Sequence, residues 1–254
     1  MAQRWAIWYA IEGDLRFCSH HELMRTMERL ATRARLPLRY SQGFNPRPRM
    51  SLVCPRPVGV AVREDLLVAG METPDEAPAA TVALEEAGLL AAMDAQAVPG
   101  LRFLRARPLS GSLTPRPVEI TYELTLYDQD APRVRARLEE LDRLDAWSVQ
   151  RLISSKEHKT RWKQQELDIK PLIARIHLAE ARLTWVARRQ GEAWARPGEL
   201  LALVGLDSRQ DLARVVRTNV VYENDPLEHP EPSATERPAG TPAAGKGNEQ
   251  RDSG

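Results

Sequence analysis

An α+β fold of two ferredoxin-like (βαββαβ-type) halves with antiparallel sheets, followed by a disordered C-terminal tail, is what this sequence predicts. Three observations carry it. Over residues 1–110, segments of strand and helix character follow one another as β-α-β-β-α-β, the succession of a split βαβ sheet with both helices on one face. Residues 117–222 have a similar succession by pattern, without a repeated motif, so duplication is a hypothesis. Residues 225–254 hold one leucine and no other large aliphatic or aromatic side chain, too little apolar area to offset the entropy of ordering.

Residues 4–13, RWAIWYAIEG, are aromatic and aliphatic enough for a strand that closes at Gly13-Asp14. Ser19 and Glu22 form an S-x-x-E capping box, in which hydroxyl and carboxylate satisfy first-turn amides. Leu23, Met27, Leu30 and Ala34 then recur at helical spacing as an apolar stripe, while Arg25, Arg29 and Arg33 make a second stripe on another face. Pro37 is expected to end this helix, because the residue before a proline avoids helical angles. Strands follow at 50–55 and 65–71, a helix at 75–93 interrupted early by Pro78, and a strand at 101–109.

In the second half, alternation of Val118, Ile120, Tyr122, Leu124 and Leu126 predicts a strand over 118–127. A helix is expected at 132–144 and a strand at 147–154, then a very polar segment at 155–166 and a short helical piece at 169–176. A strand at 181–189, a short helix at 196–205 and a strand at 213–222 complete the half.

The 254 residues suffice for one large core or two small ones. No run of about 18 apolar residues exists, and residues 1–14 lack the features of a signal peptide, so a cytoplasmic protein without membrane attachment is expected. Two cysteines, Cys18 and Cys54, fit a reducing compartment and are too few to hold an iron–sulfur cluster. The net charge of +1 hides a segregation: residues 16–63 carry ten arginines against Glu22 and Glu28, and residues 64–100 carry eight acids and no lysine or arginine. The basic stretch would attract a polyanion at short range unless the two segments lie side by side and neutralise each other.

The stretch DLRFCSHHELMRTMERLATRARLPLRYSQGFNPRPRMSL resembles the radical-SAM-linked protein family, a domain of unknown function encoded beside or fused to a radical SAM enzyme. The matching residues run from Gly13 through Arg25 and from Leu36 to Ser51, and resume at Asp168, Ile169, Pro171, Leu172 and Ile173. Glu22 stands where the family usually has aspartate, Arg47 where it usually has histidine, and Lys170 where it usually has arginine. The resemblance implies a radical SAM enzyme as partner and no established reaction. The arginine at 47 argues against a mechanism that needs an imidazole there.

His20 and His21 sit in the first helical turn, where unpaired amides and the positive dipole end disfavour a proton. With Cys18 they form one local cluster that lacks the paired spacing of a zinc site, so no metal is expected; ordinary hydrogen bonds, or a substrate contact by Ser19 and His20, remain open. As an enzyme, the chain would be a metal-independent ribonuclease with His20 as base, but no spacing reveals its acid or nucleophile. Neither GxGxxG nor GxxxxGK is present, and no cofactor is expected.

The loop RYSQGFNPRPR favours an accessory role over catalysis. Gly43 permits angles closed to other residues, and NPRP holds Arg47 and Arg49 apart in an extended run. Single-stranded RNA is bound by such interleaving, guanidinium on phosphate and ring on base. The expected RNA contacts are Arg25, Arg29, Asn45, Arg47, Arg49 and Lys163, with Tyr40, Phe44 and Trp162 as stacking rings. The alternatives are a docking surface for an acidic face of the partner enzyme without RNA, or a rigid connection with Phe44 packed inward. Asp168 is either a substrate contact or a cap for the short helix that follows it.

Overall fold

The structure, a computed structural model, describes residues 3–72, 85–109, 114–154 and 162–226. The predicted tail from residue 227 on, the first part of the predicted 75–93 helix with Pro78, and most of the polar segment 155–166 lie outside the described residues.

Strand β1 (Gln3–Ile11) is buried on both faces, which its run of aromatic and aliphatic residues requires. Trp5, Ile7, Tyr9 and Ile11 join one core, and Ala6 and Trp8, pointing the other way, join a second. After a 3-10 turn at Gly13–Phe17 comes helix α1 (His20–Arg33). The capping box forms: Glu22 N donates to Ser19 Oγ at 3.3 Å and Ser19 N donates to Glu22 Oε2 at 2.7 Å. Leu23, Met27, Leu30 and Ala31 are its buried stripe. The helix stops before Pro37 has any say. Arg35 takes φ +54°, and Leu36 N and Arg35 N bond back to Ala31 O and Thr32 O, a Schellman motif built on a non-glycine residue.

Strand β2 (Met50–Leu52) is shorter than expected and β3 (Ala61–Met71) longer. Helix α2 (Glu86–Asp94) and strand β4 (Leu101–Leu109) follow. Gly100, at φ +84°, lets their connection approach the end of β1: a Cβ there would stand 2.3 Å from Glu12 O.

The second half contains β5 (Arg116–Thr125), α3 (Ala131–Asp142), β6 (Ser148–Ser154), β7 (Trp162–Asp168), β8 (Ile173–Ala179), β9 (Arg182–Arg188), α4 (Pro197–Leu203) and β10 (Val216–Glu223). Two expectations change here. The strand at 147–154 does not enter the large sheet; as β6 it pairs with β7 in a separate two-stranded sheet, so part of the polar segment is strand. The piece at 169–176 is helical only as a 3-10 turn at Lys170–Leu172, after which the chain is strand because β9 offers it a ladder. Neighbouring strands overrule local preference.

The large sheet runs β4-β1-β3-β10-β5-β9-β8, with β2 on the free end of β3. All its pairings are antiparallel except β3 with β10, which is parallel and short, Ala61 opposite Val216 and Val62 opposite Arg217. The antiparallel halves therefore share one mixed sheet. Helices α1 and α2 cover the core of Trp5, Ile7, Tyr9 and Ile11, whereas Trp8, Leu66 and Val68 share a core with Tyr122, Trp185 and Leu200 of the second half. Tyr122 and Trp185 stack at 5.3 Å between centroids. Beside the parallel pairing, Arg217 and Asp65 are fully buried and ion-paired at 2.9 Å. No described helix is long and apolar enough to cross a membrane.

Candidate functional site

The basic stripe of α1 faces solvent: Arg25, Arg29 and Arg33 are all exposed, as their i, i+4, i+8 spacing requires once Leu23, Met27 and Leu30 turn inward. Arg29 and Arg33 line a cleft of about 670 Å³ together with Thr26, Tyr40, Pro48 and Val98; Glu28 is its acidic member. Arg33 donates to Gln96 O at 2.9 Å, which fixes the far end of the stripe. Among the described residues Arg29, Arg39, Arg47 and Arg49 have no side-chain hydrogen bond or ion pair.

The segment 39–49 is a stapled finger, not a slack connection. Arg39 N donates to Gly70 O, Gly70 N to Arg49 O, and Arg49 N to Arg39 O, so its base is an extension of β3. One step outward Tyr40 bridges Pro48, and Ser41 N donates to Arg47 O while Arg47 N donates to Ser41 Oγ. Gly43 turns the tip at φ +133°. Phe44 there is 106% exposed and Tyr40 44%, which overturns an inward-packed Phe44. Asn45, Arg47 and Arg49 are exposed as well.

Neutralisation by the acidic segment does not occur among the described residues. Glu64 is held in a bidentate pair by Arg105, which also lies over the Trp8 ring at 4.6 Å, and Asp65 is held by Arg217. Glu86 and Asp94 accept from backbone amides of β4. None of the described acids of 64–100 pairs with an arginine of 16–63, so among the described residues nothing from that segment offsets the positive charge of the outer face of α1 and the finger.

Ser19 is committed to the cap. His20, partly buried with the His21 ring edge-on at 5.9 Å, has its pKa lowered by burial and by the neighbouring imidazole, and is neutral near pH 7. No group of three potential metal ligands occurs among the described residues.

Trp162 and Lys163 lie apart, at the tip end of the β6–β7 hairpin, opposite Ser154 and Ile153. Both are exposed, Trp162 at 65%. The structure thus gathers Arg29, Arg33 and Tyr40 and puts Arg47 and Phe44 beside them on the finger, while Trp162 and Lys163 occupy a separate two-stranded sheet. Asp168 stands at the hairpin's base. Its Oδ1 accepts from Trp147 N at 2.8 Å and Lys170 N at 2.9 Å, closing the hairpin and capping the 3-10 turn.

Arg33, outside the expected contact set, joins Arg29 in the cleft, and its spacing from Arg29 is the signal in the sequence that points to it. Arg56 carries a structural role that no local pattern in the sequence marks. It donates to the carbonyls of Arg16, Cys18, Pro57 and Val60 and so ties the start of α1 to the loop before β3.

Comparison with known proteins bears on the family. A model described as "Uncharacterized protein conserved in bacteria (DUF2344)" matches residues 4–197. A search of the curated proteins found no match. Among solved structures, the crystal structure of an unknown protein from Galdieria sulphuraria is similar over 88% of this chain and 98% of that chain, at 11% identity and a TM-score of 0.26. The matched span takes in α1, the finger and the whole β6–β7 hairpin, and on that extent the chain belongs to the DUF2344 family of uncharacterized proteins conserved in bacteria.

Proposed function

We propose that this protein is a cytoplasmic, non-catalytic RNA-binding or substrate-presenting accessory of a radical SAM enzyme. The observation that carries the RNA reading is the cleft between α1 and the finger. Arg29 and Arg33 line it without a neutralising ion pair, Tyr40 forms a wall, and Phe44 with Arg47 extends it to a fully exposed tip. A single strand laid along it meets guanidinium groups at its phosphates and planar rings at its bases, with little ordering cost because the finger is already pinned to β3. Arg25, Asn45 and Arg49 extend the basic rim, and Trp162 with Lys163 offers a second stacking point on the hairpin. The radical SAM partner rests only on the sequence resemblance, over residues 13–51 and again at 168–173.

The architecture proposed beneath this function is a duplicated ferredoxin-like unit, residues 1–110 and 117–222. In support, the first half orders its strands β4-β1-β3-β2 and the second β10-β5-β9-β8, the same sequence of roles once the β6–β7 hairpin is treated as an insertion.

Titrating a fluorescent single-stranded RNA of mixed sequence at several salt concentrations tests the proposal. Binding is expected to weaken with a log–log slope of about −0.7 per phosphate contact. Weak binding that does not respond to salt removes the RNA reading. If the tagged chain then brings down a radical SAM enzyme free of RNA, and Arg47→Glu with Arg49→Glu releases it, the same finger is a protein-docking surface.

A further inference from the structure

A second cleft has no part in that interface. It lies where the halves meet, between the loop at Pro55–Pro57, strand β6 and helix α4, with a volume of about 990 Å³, and shares no lining residue with the α1 cleft. Volumes of this order are those of small-molecule sites, and junctions between units are where such sites concentrate.

Its lining has one chemical sign. Arg56, Arg137, Arg151 and Arg196 converge on it from four segments, and Glu199 is the one acid among the lining residues. That acid is already spent. Arg151 Nε and Nη2 hold both Glu199 oxygens at 2.7 and 2.6 Å, and Nη2 also donates to Trp194 O at 2.8 Å, in a pair only 12% exposed on either side. Arg56 is equally fixed by its four carbonyls. Arg137 donates Nε to Leu203 O and Nη1 to Glu140, which leaves Nη2 without a partner among the described residues. Arg196 is exposed at the rim and has no ion pair there. The remaining wall is mostly apolar, chiefly Pro55, Pro57, Pro197, Leu203 and Leu212, with Ser148, Gln150 and Ser208 as its uncharged polar members.

We propose that this cleft binds a small organic anion, a phosphate or carboxylate group carried on an apolar or planar body of about nucleotide size. A cation finds no unpaired carboxylate here, and a neutral ligand leaves the surplus of guanidinium charge unanswered. Arg196 and Arg137 Nη2 take the charged head, Arg151 is held in place by Glu199 to support it, and the prolines and leucines take the body. Because both halves line the cleft, an occupant also clamps them together, so binding raises the melting temperature.

The test is calorimetric titration and thermal shift of the full chain with AMP, adenosine, benzoate and benzyl alcohol, each up to about 5 mM. AMP binding without adenosine binding assigns a phosphate ligand, and benzoate binding without benzyl alcohol binding assigns a carboxylate. In either case Arg196→Ala, at an exposed position, should weaken binding by about fivefold or more, Arg137→Met by a similar factor, and Arg102→Ala, an exposed arginine of β4 that lines neither cleft, not at all. If neither anion binds, or if binding is unchanged in Arg196→Ala and Arg137→Met, the proposal falls, whatever the outcome with RNA.

Discussion

Arg217 Nη1 stands 2.9 Å from both carboxylate oxygens of Asp65, across 152 residues of sequence and beside the two-residue parallel seam that joins the halves. The same guanidinium donates to Cys54 O at 3.1 Å and Pro55 O at 2.9 Å, so it also anchors the loop that enters the cleft between them. Burial opposes the charge on Arg217, but the Asp65 carboxylate and neighbouring groups more than offset it and hold its pKa well above the usual arginine value. Burial conversely pushes Asp65 up while Arg217 pulls it down. We take the pair as charged, because each partner is hydrogen-bonded to the other and the guanidinium is further met by two carbonyls.

Removing one partner strands the other in a dry interior. Arg217→Ala should cost about 3–5 kcal/mol of unfolding free energy by urea denaturation, and Asp65→Ala a similar amount. Asp65→Leu combined with Arg217→Met should lose clearly less than the sum of Asp65→Leu and Arg217→Met made singly. A double-mutant cycle showing simple additivity would refute direct coupling.

His20 provides the pH dependence. Its folded pKa lies below the unfolded value of about 6.5, so the unfolded state binds the proton more readily. Stability is therefore full above the unfolded pKa and falls as pH drops from about 6.5 toward the lower folded pKa, below which this contribution changes no further. Urea midpoints at pH 7.5 and pH 5.5 should differ more in the wild type than in His20→Gln; equal differences would deny the shift.

Phe44 touches nothing it must hold together. Phe44→Ala should leave the melting temperature unchanged and weaken single-stranded RNA binding by about 1–3 kcal/mol without altering the salt slope. Arg29→Ala should instead reduce the slope by about 0.7. Competition binding at two salt concentrations separates the effects, and a fall in stability for Phe44→Ala would mean the ring is packed.

Asp168 should behave as a structural residue. Asp168→Ala leaves the amides of Trp147 and Lys170 unmet and should cost about 1–3 kcal/mol of stability, with RNA affinity unchanged after correction for the folded fraction. Lost affinity at undiminished stability would restore it as a contact residue.

Much of the first half was legible because its signals are local. The capping box, the apolar stripe and the arginine stripe of α1 are all spaced within one helix, and the β1 run announces its burial by composition. What escaped depends on partners distant in sequence. The strand character of 148–154 suits any sheet, and nothing in it says that β7 would take it away from β8 and β9. Asp65 lies in an ordinary R-E-D-L-L run, with no local mark that its counterion comes from β10. For the site, the basic loop was visible, yet the outward Phe44 and the wall that Val98 adds follow only from the folded path of the chain.

The position of β10 reaches beyond equilibrium stability. As the last described strand, it fills the gap between β3 and β5, so until Val216 to Glu223 emerge from the ribosome both of those strands present open hydrogen-bonding borders. A nascent or clipped chain ending before Val216 is therefore two unsealed sheets in want of a strand, and it should stick to its own kind, or to a chaperone, where the finished molecule does not.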